Sequence, residues 1–135
     1  MRVGHVTTWL VIGAFVAGCG AQTGSPGEQA RLACATAGTV PVIGRSGQDS
    51  SSFSPGVAAE WVDILRGAAD TAAAAAAADH EYDGLAHDLS VVRDDMADVR
   101  DALAADSAIV GDDLTAIEGD IAALVEACRR IDASG

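Results

Sequence analysis

Apolar residues in the second half of the chain recur at alternating steps of four and three positions. Because this heptad spacing keeps one apolar stripe turned towards a partner helix, it predicts long amphipathic helices. The two series do not share one register, so we expect a turn near residues 104–107 and an antiparallel helix pair. The first series is Leu85, Leu89, Val92, Met96, Val99 and Leu103, and the second is Val110, Leu114, Ile117, Ile121, Leu124, Cys128 and Ile131.

A further helix is predicted to begin at Ser54, whose hydroxyl can cap the helix, with Pro55 at the first helical position. Residues 72–78 are all alanine, which has the highest helix propensity and lets a neighbouring helix approach closely. We expect Trp61 to anchor the core. The apolar residues at helical spacing are Val57, Trp61, Ile64, Leu65 and Ala68.

The polar stretch DHEYDG at residues 79–84 leaves two arrangements open. In one, the helix breaks there, with Gly84 as its weakest point, and the segments fold into a bundle. In the other, a continuous helix runs from residue 57 to residue 104 and forms a longer and more exposed coiled coil.

The first half of the chain predicts less regular structure. Residues 31–37 indicate a short helix that carries Cys34. Residues 39–43 favour a strand, but Pro41 interrupts them. Residues 44–54 are polar and predict a loop.

The first 18 residues have the parts of a secretory signal peptide. Arg2 supplies a positive charge, and residues 9–16 form an apolar run. This run is too short to span a bilayer, which needs ~20 residues. Small residues then precede Cys19.

The tetrapeptide Val16-Ala17-Gly18-Cys19 resembles the lipobox of bacterial lipoproteins, in which an aliphatic and two small residues precede a cysteine. The resemblance covers only the leader. It implies cleavage between Gly18 and Cys19, attachment of diacylglycerol, whose acyl chains can be palmitate, to the Cys19 sulfur, and anchorage on the extracytoplasmic face of the cell membrane. The alternative is an ordinary signal peptide with a cysteine near its end.

These features divide the chain into a signal peptide, 1–18, a segment 19–54 with the lipidated cysteine, a flexible tether and the short helix, and a helical domain, 55–135. The tether is residues 20–27, GAQTGSPG, whose small and polar side chains have nothing to bury. The expected fold is all-α: a small helical bundle or an antiparallel, coiled-coil-like helical hairpin behind a disordered N-terminal tether.

If Cys19 is acylated, two cysteines remain, Cys34 and Cys128. An exported chain favours a disulfide between them, and two buried free thiols are the alternative. Because Cys128 belongs to the second heptad series, the bond would hold the N-terminal segment against the last helix.

The chain is acidic, with 20 Asp and Glu residues against 8 basic residues, all of them arginine, and a net charge of −12. This charge argues against a nucleic-acid partner, whose binding needs a basic surface. It also disfavours anionic headgroups, so we expect membrane contact through the lipid alone. The absence of lysine and asparagine in an alanine-rich chain suggests a high-GC bacterial source, and we expect an actinobacterium.

Three residues are weak candidates for a zinc or copper site: His80, Asp83 and His87, which one helix face can present together. Their spacing matches no established ligand motif, and a solvated polar patch is the simpler interpretation. A solvated face is likewise expected for Asp94, Asp95, Asp98, Asp101, Asp112 and Asp113, since no EF-hand spacing is present.

No motif for a nucleophile, a phosphate-binding loop or a catalytic metal occurs in the sequence, so we expect neither an enzyme nor a cofactor. The function predicted is that of a membrane-anchored extracytoplasmic lipoprotein, a protein-interaction or structural module of the cell envelope. Its partner would be an envelope protein or a second copy of the chain. The alternative is a lipoprotein that binds a small ligand or a metal.

Overall fold

A computed structural model describes residues 24–44, 54–108 and 111–135, which form helices and no strand. The predicted all-α bundle is therefore confirmed. The predicted signal peptide, Cys19 with its cleavage site at Gly18, and tether residues 20–23 lie outside the described residues. The helices are α1, Pro26–Ala37; α2, Pro41–Gly44; α3, Pro55–Ala78; α4, Asp83–Ala104; and α5, Gly111–Ala133.

Helix α1 begins at Pro26 and not at Arg31, so the sequence prediction placed its start five residues too late. The cause is a capping box. The Glu28 amide donates to the Ser25 hydroxyl at 3.2 Å, and the Ser25 amide donates to the Glu28 carboxylate at 2.8 Å. Pro26 occupies the first helical position, where its missing N–H is not needed. The last residues of the predicted tether thus belong to the folded domain.

The segment expected to favour a strand is helical instead. Pro41 starts the one-turn helix α2, Pro41–Gly44, because a proline at the first position is set for a helical φ. The preceding Val40 is fully buried in the core. The apolar residues of this segment, Val40, Val42 and Ile43, therefore pack on the helical core.

Helix α3 starts as predicted, with the Val57 amide donating to the Ser54 hydroxyl at 3.2 Å. Its buried face is rotated from the expected one, since Val62 is buried whereas Trp61 is only half-buried at the edge of the core. Alanine dominates this face and lets α1 and α4 pack closely on it. The buried residues of α3 are Ala58, Val62, Leu65, Ala68, Ala69, Thr71, Ala72, Ala75 and Ala76.

The helical conformation is interrupted between α3 and α4, which excludes the continuous helix 57–104. Asp79 is extended, and its carboxylate accepts a hydrogen bond from the Glu81 amide at 3.0 Å. A short 3₁₀ turn, His80–Tyr82, then leads into α4. Gly84 lies inside the first turn of α4, so the capping aspartate and not the glycine marks the break.

Helices α4 and α5 form the predicted antiparallel hairpin. α4 ends in a Schellman arrangement, in which the Ser107 amide donates to the Ala102 carbonyl at 2.8 Å. Asp106 has a φ of 52°, the left-handed conformation that this motif requires. Five of the six residues of the first heptad series are buried, from Leu85 to Val99.

The described helices meet as a bundle in which α1 and α4 run opposite to α3 and α5. The Tyr82 hydroxyl lies against Gly27, and Arg31 lies beside Gly135. The start of α1, the α3–α4 turn and the C-terminus therefore share one end, which we call the lower end; the α4–α5 turn lies at the upper end. Within the described part of the chain, no helix is long and apolar enough to cross a membrane.

Candidate functional site

Cys34 and Cys128 form the disulfide that the sequence predicts, with their Cα atoms 5.5 Å apart. The bond joins the buried face of α1 to the lower half of α5, across a sequence separation of 94 residues. A crosslink that closes so long a loop stabilises the fold by roughly 4–5 kcal/mol in the chain-entropy description. The disulfide fixes the lower half of α5 to α1. The upper half packs on its neighbouring helices through noncovalent contacts alone.

The metal-ligand candidates are not brought together as a set of three. His80 Nδ1 lies 3.2 Å from Asp83 Oδ2, and both side chains are largely exposed. His87 lies on α4 and is exposed. Over residues 24–44, 54–108 and 111–135, no group of three or more His, Cys, Asp or Glu side chains is arranged to hold a metal ion.

Helix α5 carries the least covered apolar stripe of the bundle. Leu114 is 45 % exposed and Val125 is 42 % exposed, while Ile117 and Ile121 are half-buried. Leu114 and Val125 are eleven residues apart, about three helical turns, so they lie on one side of α5 with Ile121 between them. We call Leu114, Ile117, Ile121 and Val125 the α5 stripe.

Charges on α5 are distributed unevenly along its length. All the charged side chains in its upper half are acidic. Both of its arginines, Arg129 and Arg130, are near the lower end. Glu118 and Arg129 are also eleven residues apart and so border the α5 stripe on the same side. Arg129 forms an exposed ion pair with Glu126 within the same helix, a type of pair that contributes little to stability.

A second feature is an open cavity of about 280 Å³ between the upper halves of α4 and α5. Three of its lining residues are carboxylates: Asp95 and Asp98 from α4 and Asp113 from α5. The remaining lining residues are apolar: Val99, Ala102, Ala108, Ala116 and Ile117. The acidic residues here thus face a neighbouring helix as well as solvent.

Asp95 is the carboxylate most changed by this environment. Partial burial, with Asp120 of α5 as the largest charged influence and smaller contributions from Asp98 and Asp94, raises the pKa of Asp95 to about 6. Its Oδ2 atom is buried and has no hydrogen-bond donor among the described residues. The neighbouring acidic residues Asp94 and Asp101 instead pair with Arg93 and Arg100 at 2.8 Å.

The sequence interpretation therefore missed the special position of Asp95 and did not consider Asp120. Both residues directly precede a member of a heptad series, Met96 and Ile121. Positions that flank a heptad stripe point towards the partner helix. Two carboxylates at such positions, on helices expected to pack together, were the available signal.

No known protein family, curated protein or solved structure matches this chain in sequence or fold comparisons.

Proposed function

We propose that this chain is a lipoprotein anchored by Cys19 to the extracytoplasmic face of a membrane, where its helical domain pairs with a second copy through the α5 stripe. The observation that carries the pairing is the exposure of two large apolar residues, Leu114 and Val125, on one side of α5. A contiguous apolar stripe on a surface helix favours a protein contact. The lipobox-like sequence at residues 16–19 supports the anchor.

A second copy is favoured by the charges beside the stripe. When two α5 helices pack antiparallel, Glu118 of each copy lies near Arg129 of the other, with Ile121 and Val125 of both copies between the two pairs. A parallel arrangement would instead place the acidic upper halves side by side. Because like charges repel and opposite charges attract across an interface, the antiparallel pairing is preferred.

The position of the domain relative to the anchor supports the same function. Helix α1 begins seven residues after Cys19, and an extended segment of that length reaches at most about 25 Å. The lower end of the bundle would therefore stay close to the lipid, and an antiparallel pair satisfies this for both copies when its α5 helices lie along the membrane surface. Tethered copies share one surface, and this raises their effective concentration and favours even a small interface.

The test is the self-association of the membrane-extracted protein. We expect Val125→Glu to weaken the dimer about tenfold or more, because it places a charge in an apolar contact. Leu32→Glu is the matched control, since Leu32 is a large apolar residue that is 58 % exposed on α1, outside the stripe. Native mass spectrometry over a concentration series measures the monomer fraction. A wild-type protein that stays monomeric, or equal weakening by both variants, would contradict the pairing.

Charge reversal tests the antiparallel geometry. We expect Glu118→Arg and Arg129→Glu to weaken association individually and to restore it when combined in one chain, because both pairs of the dimer are then inverted together. Failure of the double variant to recover, while Val125→Glu still weakens self-association, would contradict the antiparallel geometry.

A further inference from the structure

The contact between the upper halves of α4 and α5 brings acidic groups together without a base. Asp95 of α4 faces Asp120 of α5, and Asp98 and Asp113 line the adjoining cavity. All the charged groups that act on Asp95 are carboxylates, namely Asp120 from α5 and Asp98 and Asp94 from its own helix. No charged group of the described parts of α1 or α3 is among them.

A shared proton can satisfy a carboxylate pair of this kind. The buried Oδ2 of Asp95 has no donor among the described residues, and Asp120 offers only acceptor oxygens when ionised. A proton on one carboxyl lets it donate to the other, whereas two ionised carboxylates repel each other. The two helices therefore attract each other at this point only when the pair holds a proton.

We infer that Asp95 and Asp120 form a proton-operated latch between α4 and α5, which closes the upper half of α5 on the bundle in mildly acidic conditions and releases it at higher pH. The cavity beside the pair gives water room to enter. The lower half stays in place, because Cys128 is bonded to Cys34 and Leu124 is fully buried.

The direction of the pH dependence follows from which arrangement of the two helices holds the proton. The pKa of Asp95 is about 6 in the folded chain, above its ordinary value of 3.8. The closed arrangement therefore binds a proton that an open one releases, and closure becomes weaker as the pH rises from about 4 to about 7. Above that range Asp95 is ionised in both arrangements and closure no longer changes with pH.

Hydrogen exchange of the full chain tests the latch. After correction for intrinsic exchange rates, the protection of amides 114–121 is compared with that of amides 85–92. We expect this ratio to fall by up to about tenfold between pH 5 and pH 7.5 in the wild type, the change that a pKa near 6 implies over this interval before solvent screening reduces it. Asp95→Asn should remove the fall, since the amide cannot ionise. Asp94→Asn, which removes the same charge from an exposed neighbour, should retain it.

Two outcomes would overturn the latch. One is a wild-type ratio that does not change with pH. The other is the same fall in Asp95→Asn, which would show that a group other than Asp95 carries the pH dependence. Carbon-13 NMR of the Asp95 carboxyl provides a second readout, with a midpoint near pH 6 that decreases in Asp120→Asn. This readout does not depend on self-association, so the latch and the proposed dimer can fail separately.

Discussion

The α3–α4 hairpin and the α4–α5 hairpin share one helix but differ in how completely they cover their apolar residues. In the first hairpin, Leu65, Ala72 and Leu89 have no solvent exposure. In the second, Leu114 and Val125 remain more than two-fifths exposed, and only Leu124 and Ala127 of α5 are buried. The same heptad spacing therefore accompanies a closed contact on one side of the bundle and a partly open contact on the other.

The difference comes from the residues that flank each stripe. Alanine on α3 is small and lets a neighbouring helix approach closely, and none of the buried residues of α3 is charged. The α4–α5 contact carries Asp95, Asp98, Asp113 and Asp120, which lose solvation and repel one another when the helices close. Heptad spacing predicts the presence of a helix and the direction of its stripe. Its flanking side chains decide how fully the stripe is covered.

Removal of the disulfide should have the largest effect on stability and should increase the difference between the two hairpins. Replacing both Cys34 and Cys128 by alanine should lower the free energy of unfolding by about 4 kcal/mol, because the unfolded chain regains the entropy of a long open loop. Protection of α5 amides should decrease more than that of α3 and α4. Denaturant titration and hydrogen exchange measure the two quantities. A uniform loss of protection over all helices would mean that the two hairpins are not independent.

Leucine truncation compares the two contacts directly. Leu89→Ala should lower the free energy of unfolding by about 3 kcal/mol, since Leu89 is fully buried and its removal leaves a cavity. Leu114→Ala should lower it by less than about 1 kcal/mol, since Leu114 is already 45 % exposed. Urea titration of both variants in one buffer gives the difference. Equal losses would show that α5 is covered as fully as α4 in solution.

The smallest expected effect concerns the turn that joins α4 to α5. Asp106→Gly should stabilise the fold by about 0.5 kcal/mol, because glycine adopts the left-handed conformation of this position without strain. Ala104→Gly, two residues earlier at the end of the right-handed helix, is the control and should destabilise by up to about 1 kcal/mol. Thermal unfolding of both variants measures these shifts, and a loss of stability in Asp106→Gly would contradict the assigned turn.

Much of the fold could be predicted from local patterns. The cap at Ser54, the heptad series from Leu85 and the turn at residues 104–107 depend on short-range sequence signals, and all three are confirmed. The start of α1 was also encoded locally, in Ser25 and Glu28, but it was hidden within a stretch rich in small polar residues. The sequence did not distinguish a break after Ala78 from a continuous helix, because a run of alanines followed by a polar stretch is compatible with both.

The candidate sites were less predictable because they depend on contacts between helices. Asp95 resembles its exposed neighbours in sequence, and only the approach of α5 brings Asp120 next to it. The exposure of Leu114 and Val125 likewise depends on how far α5 separates from α4. The disulfide could be predicted, since the expected export of the chain and lipidation of Cys19 leave only Cys34 and Cys128 to pair.

The most direct test of the proposed function is the intact mass of the protein extracted from membranes, recorded under denaturing and then native conditions. We expect an acylated chain that begins at Cys19 and is two hydrogens lighter than its reduced form. Under native conditions we expect this chain to appear as a dimer. A chain without acyl groups recovered from the culture fluid as a monomer would contradict both the anchor and the pairing of α5.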